Sequence, residues 1–144
     1  MEKNIIIGSD HAGFELKEYL SDLLKNKGYL VEDIGCYSTD SCDYPLFAKK
    51  LCEKVLENKT LGILICGSGI GMSMAANRIK GIRAALCLNE YMARMSRRHN
   101  NANVLCLGSR IIGQDLAQSI TIAFLDQEFE GGRHKRRIDL IEGL

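Results

Sequence analysis

Leu61-Gly62-Ile63-Leu64-Ile65 runs directly into Cys66-Gly67-Ser68-Gly69-Ile70-Gly71, so an apolar segment of strand length meets a thiol, a glycine loop and the start of a helix. The apolar run is short and bounded by turn residues, as in a strand covered on both faces. Glycines let backbone N–H groups turn toward one point, and a following helix N-terminus adds partial positive charge there. That is an anion site with a base beside it, because the same field favours thiolate over thiol. A simply buried strand-end cysteine above an ordinary strand-to-helix turn has the same spacing.

The alternation extends in both directions from this stretch. Upstream, Ile5–Ile7 ends in Gly8-Ser9-Asp10-His11, and Phe14, Leu16, Tyr19, Leu20, Leu23 and Leu24 then recur at helical spacing to about Lys27, where Gly28 stops the helix. Leu30–Ile34 reads as a strand, followed by a polar loop through Asp43 and a helix opened by the only proline, Pro45, and running to about Leu56. Downstream of the glycine loop a short helix ends near Asn77. Arg83–Cys87 and Val104–Leu107 are strands separated by a helix from Glu90 to Arg98, and Gly113–Phe124 is a further helix. After Gly131-Gly132 a last short helix carries Ile138, Leu140, Ile141 and Leu144, a pattern suited to packing on a neighbouring subunit.

Strands alternating with helices predict a doubly wound, Rossmann-like α/β fold: a five-stranded parallel sheet with helices on both faces, in one domain spanning residues 1–144. Ligands of such sheets bind beyond the carboxyl ends of the strands, where the strand order reverses. Both Ser9-Asp10-His11 and the Cys66–Gly71 loop follow strands and belong at that edge.

Composition narrows the class. The chain has 144 residues, 46% of them hydrophobic and 26% charged, with a formal net charge of +1, as expected of a soluble domain with a sizeable core. Near-neutral charge argues against a nucleic-acid surface. No segment has the uninterrupted apolar length of a membrane span, and Glu2, Asp10, Glu15 and Glu18 do not fit a signal peptide, which predicts a cytoplasmic protein. The six cysteines form no C-x-x-C pair and no zinc spacing, so they read as reduced thiols: Cys52, Cys87 and Cys106 in the core, Cys36 and Cys42 in a loop.

Asp10-His11 is either an N-cap with a first-turn residue or an acid/base group with a cation. His99-Asn100 poses a problem of reach. The Glu90–Arg98 helix returns the chain to the opposite edge of the sheet, which sets His99 about one strand length, roughly 17 Å, from its own Cys66. Arg133 follows another returning helix. Such residues are structural, with Asn100 or Asn101 as a C-cap, or they complete a neighbouring subunit's site. Arg133 and Arg137, spaced i, i+4, share a helix face and are either a solvated basic tail or a pair suited to a phosphate between them, and Arg110 at a carboxyl edge is a weaker phosphate candidate. A C-x5-R phosphatase signature is excluded because Met72 stands where arginine is needed, and neither the Walker nor the dinucleotide glycine pattern is met.

Gly8-Ser9-Asp10-His11-Ala12-Gly13, Asp43-Tyr44-Pro45, Cys66-Gly67-Ser68-Gly69-Ile70-Gly71, Arg98-His99-Asn100 with Asn103, and Gly132-Arg133-His134 with Arg137 together resemble the type B ribose-5-phosphate isomerases, the family shared with the galactose-6-phosphate isomerase subunits. The resemblance implies an aldose–ketose isomerase acting on D-ribose 5-phosphate and D-ribulose 5-phosphate, in pentose phosphate metabolism, without metal or organic cofactor. It implies Cys66 as the base and Ser68 as a proton relay, with the N–H groups of Gly67, Ser68, Gly69, Ile70 and Gly71 holding an oxyanion. His99 with Asp10 would open the sugar ring. His11, Arg110, Arg133 and Arg137 would hold phosphate, and Asn100 and Tyr44 would contact the sugar. It further implies a homodimer or tetramer with sites shared between subunits, which fits the reach of His99 and Arg133. Some members use a glutamate from the following helix instead of the cysteine, but residues 72 to 76 contain no acid here. Ser68 stands where many members have threonine, and Leu46 where an acid is frequent. A six-carbon sugar phosphate as substrate and a non-catalytic phosphosugar-binding module are the alternatives.

Overall fold

Three of the strands share one alternation. Ile5 and Ile7, Ile63 and Ile65, and Leu105 and Leu107 point to one face of the sheet, while Ile6, Leu64, Cys66, Val104 and Cys106 point to the other, and every one of these side chains is buried. A strand's side-chain period of two places them so. Burial on both faces is what makes the runs look continuously apolar in the sequence.

A computed structural model describes residues 3–144. Its elements, in chain order, are β1 (Asn4–Ser9), α1 (Phe14–Asn26), β2 (Leu30–Asp33), α2 (Tyr44–Asn58), β3 (Leu61–Cys66), α3 (Ile70–Ala76), β4 (Ala84–Leu86), α4 (Glu90–Arg98), β5 (Val104–Gly108), α5 (Gln114–Leu125) and α6 (Arg133–Glu142). The five strands are all parallel and lie in the order β2-β1-β3-β5-β4. Helices α1, α4 and α5 cover one face through Leu16, Leu20, Leu24, Ala93, Ala117, Ile120 and Phe124. On the other face α2 and α3 supply Ala48, Leu51, Cys52, Val55, Met72 and Ala76. Burying one such Leu, Ile or Phe stabilises the fold by about 1.5–3 kcal/mol, so the central strand β3, with Ile63, Leu64 and Ile65 at 0% exposure, anchors both layers. The predicted fold class is the one found.

Boundaries agree closely with the sequence pattern, with two differences. β4 is only three residues long, because it is an edge strand whose side chains are half-buried. The N-cap of α1 is Gly13 rather than Asp10, and Asp10 instead accepts a hydrogen bond on Oδ1 from the Gly13 N–H at 3.1 Å. Pro45 stands in the first turn of α2 behind Asp43, where a missing N–H costs nothing. Lys17 of α1 is fully buried and pairs with Asp33 at the end of β2 and with Glu18 at 2.8 Å. Burial works against its charge, but the two carboxylates outweigh that and raise its pKa. Helix α6 is held to its own chain by buried His134 and Ile138 and by Arg83 Nη1 on Glu142 Oε1 at 2.6 Å, while Leu140, Ile141 and Leu144 remain exposed. Among the described residues no helix is long and apolar enough to cross a membrane.

Strand order reverses between β1 and β3: β2 lies outside β1, and the remaining strands lie beyond β3. The loops after those two strands therefore share one crevice, closed at its floor by the Asp10 N–H on the Ile65 carbonyl at 3.1 Å.

Candidate active site

Each glycine of the Cys66 loop faces a neighbour that a side chain would displace. A Cβ at Gly67 would lie 3.2 Å from Arg110 Nη1, and one at Gly71 would lie 2.6 Å from Tyr44 Cζ. Gly69 takes a left-handed φ of +80°, and a Cβ there would meet Leu86 Cδ1 at 2.5 Å. The pattern thus admits Arg110 from the loop after β5 and Tyr44 from the start of α2, and it turns the chain sharply into α3. Hydrogen bonds fix the arrangement: Ser109 N–H donates to the Cys66 carbonyl and Arg110 N–H to the Gly67 carbonyl, both at 2.9 Å. Ser109 Oγ donates to the Ala12 carbonyl at 2.8 Å, tying the third loop to the first.

At the centre, Cys66 is 5% exposed and its Sγ accepts the Gly69 N–H at 3.2 Å. Ser68 Oγ accepts the Ile70 N–H at 3.2 Å. The carboxylate of Asp10 is 6% exposed and immobilised by Gly13. Asp10, Tyr44, Cys66, Gly67, Ser68, Ile70, Gly71 and Arg110 line an open cleft of about 590 Å³, all from one chain. Gly69 shapes the loop from beneath, buried. Met74 and Ile111 complete the lining and were not anticipated. Their signal was present: Met74 sits one helical turn after Ile70, and Ile111 adjoins Arg110, all three of the apolar side chains being exposed. Beside the cleft, His11 Nδ1 accepts the Cys42 N–H at 3.2 Å. With Nδ1 accepting, the ring nitrogen left to donate is Nε2.

The remaining sequence-predicted residues lie elsewhere on the chain. His99 caps the C-terminus of α4, and its ring stacks on His134 with centroids 4.2 Å apart and planes within 9°. Glu130 Oε1 lies 3.6 Å from His99 Nε2 and 3.7 Å from His134 Nε2, while Glu130 Oε2 accepts from Arg98 Nε at 2.7 Å. The Arg98 hydrogen bond is the main cause holding the Glu130 carboxyl below its ordinary range. Burial, followed by the charges of His99 and Arg133, pushes His134 down. Donor atoms of His99, Glu130 and His134 lie within 4.8 Å of one another. In stacked rings, however, the in-plane lone pairs run side by side and do not converge on an ion. Asn100 opens on a different cavity of about 770 Å³, together with Arg78 and Glu142. Arg133 and Arg137 are exposed on α6 with no ion-pair partner among the described residues. Asn101, not Asn100, takes the left-handed conformation after the helix, with φ of +46°.

A thiol beside N–H donors, a fixed carboxylate and an arginine at the switch point of a parallel sheet form an arrangement suited to acid/base chemistry on a small molecule. The chain belongs to the Ribose/Galactose Isomerase family, whose family model matches residues 5–141. It is similar to the ribose-5-phosphate isomerase B of Escherichia coli K12, 43% identical over 143 residues that cover 99% of this chain and 96% of that one. A probable ribose-5-phosphate isomerase B of Mycoplasma genitalium is 50% identical over 144 residues, covering 98% of this chain and 95% of that one. Among solved structures, a ribose 5-phosphate isomerase of Thermotoga maritima superposes with a TM-score of 0.97 at 54% identity, with both chains covered in full. The Mycoplasma genitalium ribose-5-phosphate isomerase B with bound ribulose-5-phosphate gives 0.94 at 49% identity, covering 99% of this chain and 96% of that chain.

Proposed function

We infer that this chain is an aldose–ketose isomerase that interconverts D-ribose 5-phosphate and D-ribulose 5-phosphate. The observation that carries this reading is the Cys66 thiol, aimed at the Gly69 N–H in a cleft with Asp10, Tyr44 and Arg110, in a chain of this family. In the open-chain aldose, the Cys66 thiolate takes the proton from C2, the electron pair moves toward O1, and an enediolate forms. N–H groups of the Gly67–Gly71 loop hold the developing oxyanion, an interaction worth about 2.7–4 kcal/mol per donor in other enzymes. Ser68 carries a proton between the two oxygens, and Cys66 returns its proton to C1. One C–H bond breaks and one forms, with no net oxidation, so side-chain acid/base chemistry suffices without metal or organic cofactor.

His99, Asn100, Arg133 and Arg137 lie outside the cleft that holds Cys66, and a second copy supplies them. The working unit is thus a homodimer or tetramer in which each site joins Cys66, Ser68, Asp10, His11, Tyr44 and Arg110 of one chain to those four residues of another. His99 with Asp10 opens the furanose ring, Asn100 and Tyr44 contact the sugar hydroxyls, and His11 with the three arginines holds the phosphate. Residues 1–144 act as one domain, in the cytoplasm.

A panel of five- and six-carbon aldose phosphates, assayed with purified protein and its Cys66→Ala variant, tests the reading. Ribose 5-phosphate is expected to be the preferred substrate, and the variant should lose about 10²–10⁴-fold in kcat, the usual worth of a positioned general base, while still binding the sugar phosphate. Near wild-type turnover by the variant would refute the thiol mechanism. Preference for a six-carbon substrate would refute the assignment of the pentose.

A further inference from the structure

The loop from β2 to α2 lays two thiols against the end of β1. At one end, Cys36 N–H donates to the Ser9 carbonyl and Ser9 N–H to the Gly35 carbonyl, both at 2.7 Å. This pins Cys36 so that its Sγ lies 4.0 Å from Ser9 Oγ, and the thiol donates to the Ser38 carbonyl at 3.2 Å. At the other end, Cys42 gives its N–H to His11 Nδ1 at 3.2 Å, and its Sγ lies 3.9 Å from the same nitrogen. Ser9 and His11 flank Asp10, so the two thiols bracket the end of β1. Cys36 is buried and Cys42 half-buried, and the five residues between them include Tyr37 at 68% exposure. Neither cysteine has work in the isomerisation, and both are free thiols. Burial first, and then the neighbouring Cys36 thiol and Asp10, push the Cys42 thiol above its ordinary value, against a hydrogen bond with His11.

We propose that Cys36 and Cys42 are a redox-modifiable pair whose cross-linking by an organic disulfide pulls Cys42 off His11 and weakens phosphate binding. The chemistry is thiol–disulfide exchange. One thiolate attacks a sulfur of the external disulfide and expels a thiol, giving a mixed disulfide. The second thiolate then attacks the protein sulfur of that bond and expels the other thiol. Two protein thiols lose two electrons and two protons, and the external disulfide is reduced to two thiols. Only the thiolate reacts, so the raised Cys42 thiol makes the reaction slow at neutral pH and faster as pH rises. The effect on binding follows from the hydrogen bond at Nδ1. While Cys42 N–H occupies that nitrogen, Nε2–H is the ring's donor, and moving Cys42 releases the ring from this orientation. This consequence rests on the reading of His11 as a phosphate ligand.

Reduced protein is first titrated with ribulose 5-phosphate by calorimetry, then incubated with glutathione disulfide at pH 7 and pH 9 and mapped by peptide mass spectrometry. A Cys36–Cys42 cross-link is expected, forming faster at pH 9. The affinity should fall about ten- to a hundredfold, the worth of one charge-assisted hydrogen bond, and recover with dithiothreitol. The Cys42→Ser protein should keep its affinity through the same treatment, and Cys36→Ser should form no cross-link. The inference is overturned if no Cys36–Cys42 peptide forms, if the cross-link forms without loss of affinity, or if Cys42→Ser loses affinity as the unsubstituted protein does, which would trace the effect to another cysteine such as Cys66. Failure of the reduced protein to bind any sugar phosphate would overturn the functional reading and with it the effect on binding, while the cross-link is still decided by mass.

Discussion

A methyl group at position 71 would meet Tyr44 at 2.6 Å, and one at position 69 would meet the Leu107 backbone at 3.0 Å, yet the two substitutions should fail differently. Tyr44 is 37% exposed and can swing outward. Gly71→Ala is therefore expected to leave urea stability nearly unchanged while raising KM about tenfold if Tyr44 contacts the sugar as proposed. Gly69 combines a φ of +80° with fixed backbone around it, so Gly69→Ala should cost about 1–3 kcal/mol of folding stability, read as a lower urea midpoint. Equal stability of the two variants would contradict this division. The glycine run was legible in the sequence as a sharp turn from strand into helix. That its members also make room for Arg110 and Tyr44 was not, because those side chains come from segments 27 or more residues away whose approach depends on tertiary packing. Cys66 and Asp10 were legible because both fall at strand ends, where topology alone fixes their neighbourhood.

At the scale of the element, α6 shows what periodicity hides. Its sequence advertises Arg133 and Arg137, but the residues that hold its start to the chain are His134 and Ile138, with Glu130 in the preceding loop. Nothing in the spacing of a basic stretch marks one histidine as buried. The consequence is a pH dependence of stability. Because His134 is pushed below its ordinary 6.5 by burial and nearby positive charge, the unfolded chain takes up its proton first as pH falls, and stability declines from about pH 6.5 downward. Glu130 has the opposite charge and a lowered pKa, so its contribution is full above its ordinary 4.5 and is lost only as pH falls through its lower folded value. Urea unfolding from pH 7.5 to 3.5 should therefore show a decline between pH 7.5 and 5 that is reduced in His134→Gln, while the loss below pH 4.5 persists in that variant. An unchanged slope in His134→Gln between pH 7.5 and 5 would show that the decline comes from other groups.

For the whole molecule, the alternation of segments sufficed for a parallel sheet, since short apolar strands spaced by amphipathic helices have few other solutions. The order β2-β1-β3-β5-β4 was not legible, because connection lengths do not say whether β4 or β5 takes the place beside β3. The separation of His99 from Cys66 along the chain was legible for a simple reason: a helix that follows a parallel strand must carry the chain back, so residues at its end do not share an edge with residues at the strand's end. Cys66 ends β3 and His99 ends α4, and the cleft around Cys66 contains none of His99, Asn100, Arg133 and Arg137. If a second copy completes the site, two inactive variants should repair each other. A mixed dimer of Cys66→Ala and His99→Ala chains has one site with both residues intact and one with neither. Random exchange of equal amounts makes half the dimers mixed, so about a quarter of wild-type activity should return. Native mass spectrometry establishes the exchange independently, and a fully exchanged mixture no more active than the sum of the separate variants would mean that each chain reaches its own cleft with its own His99.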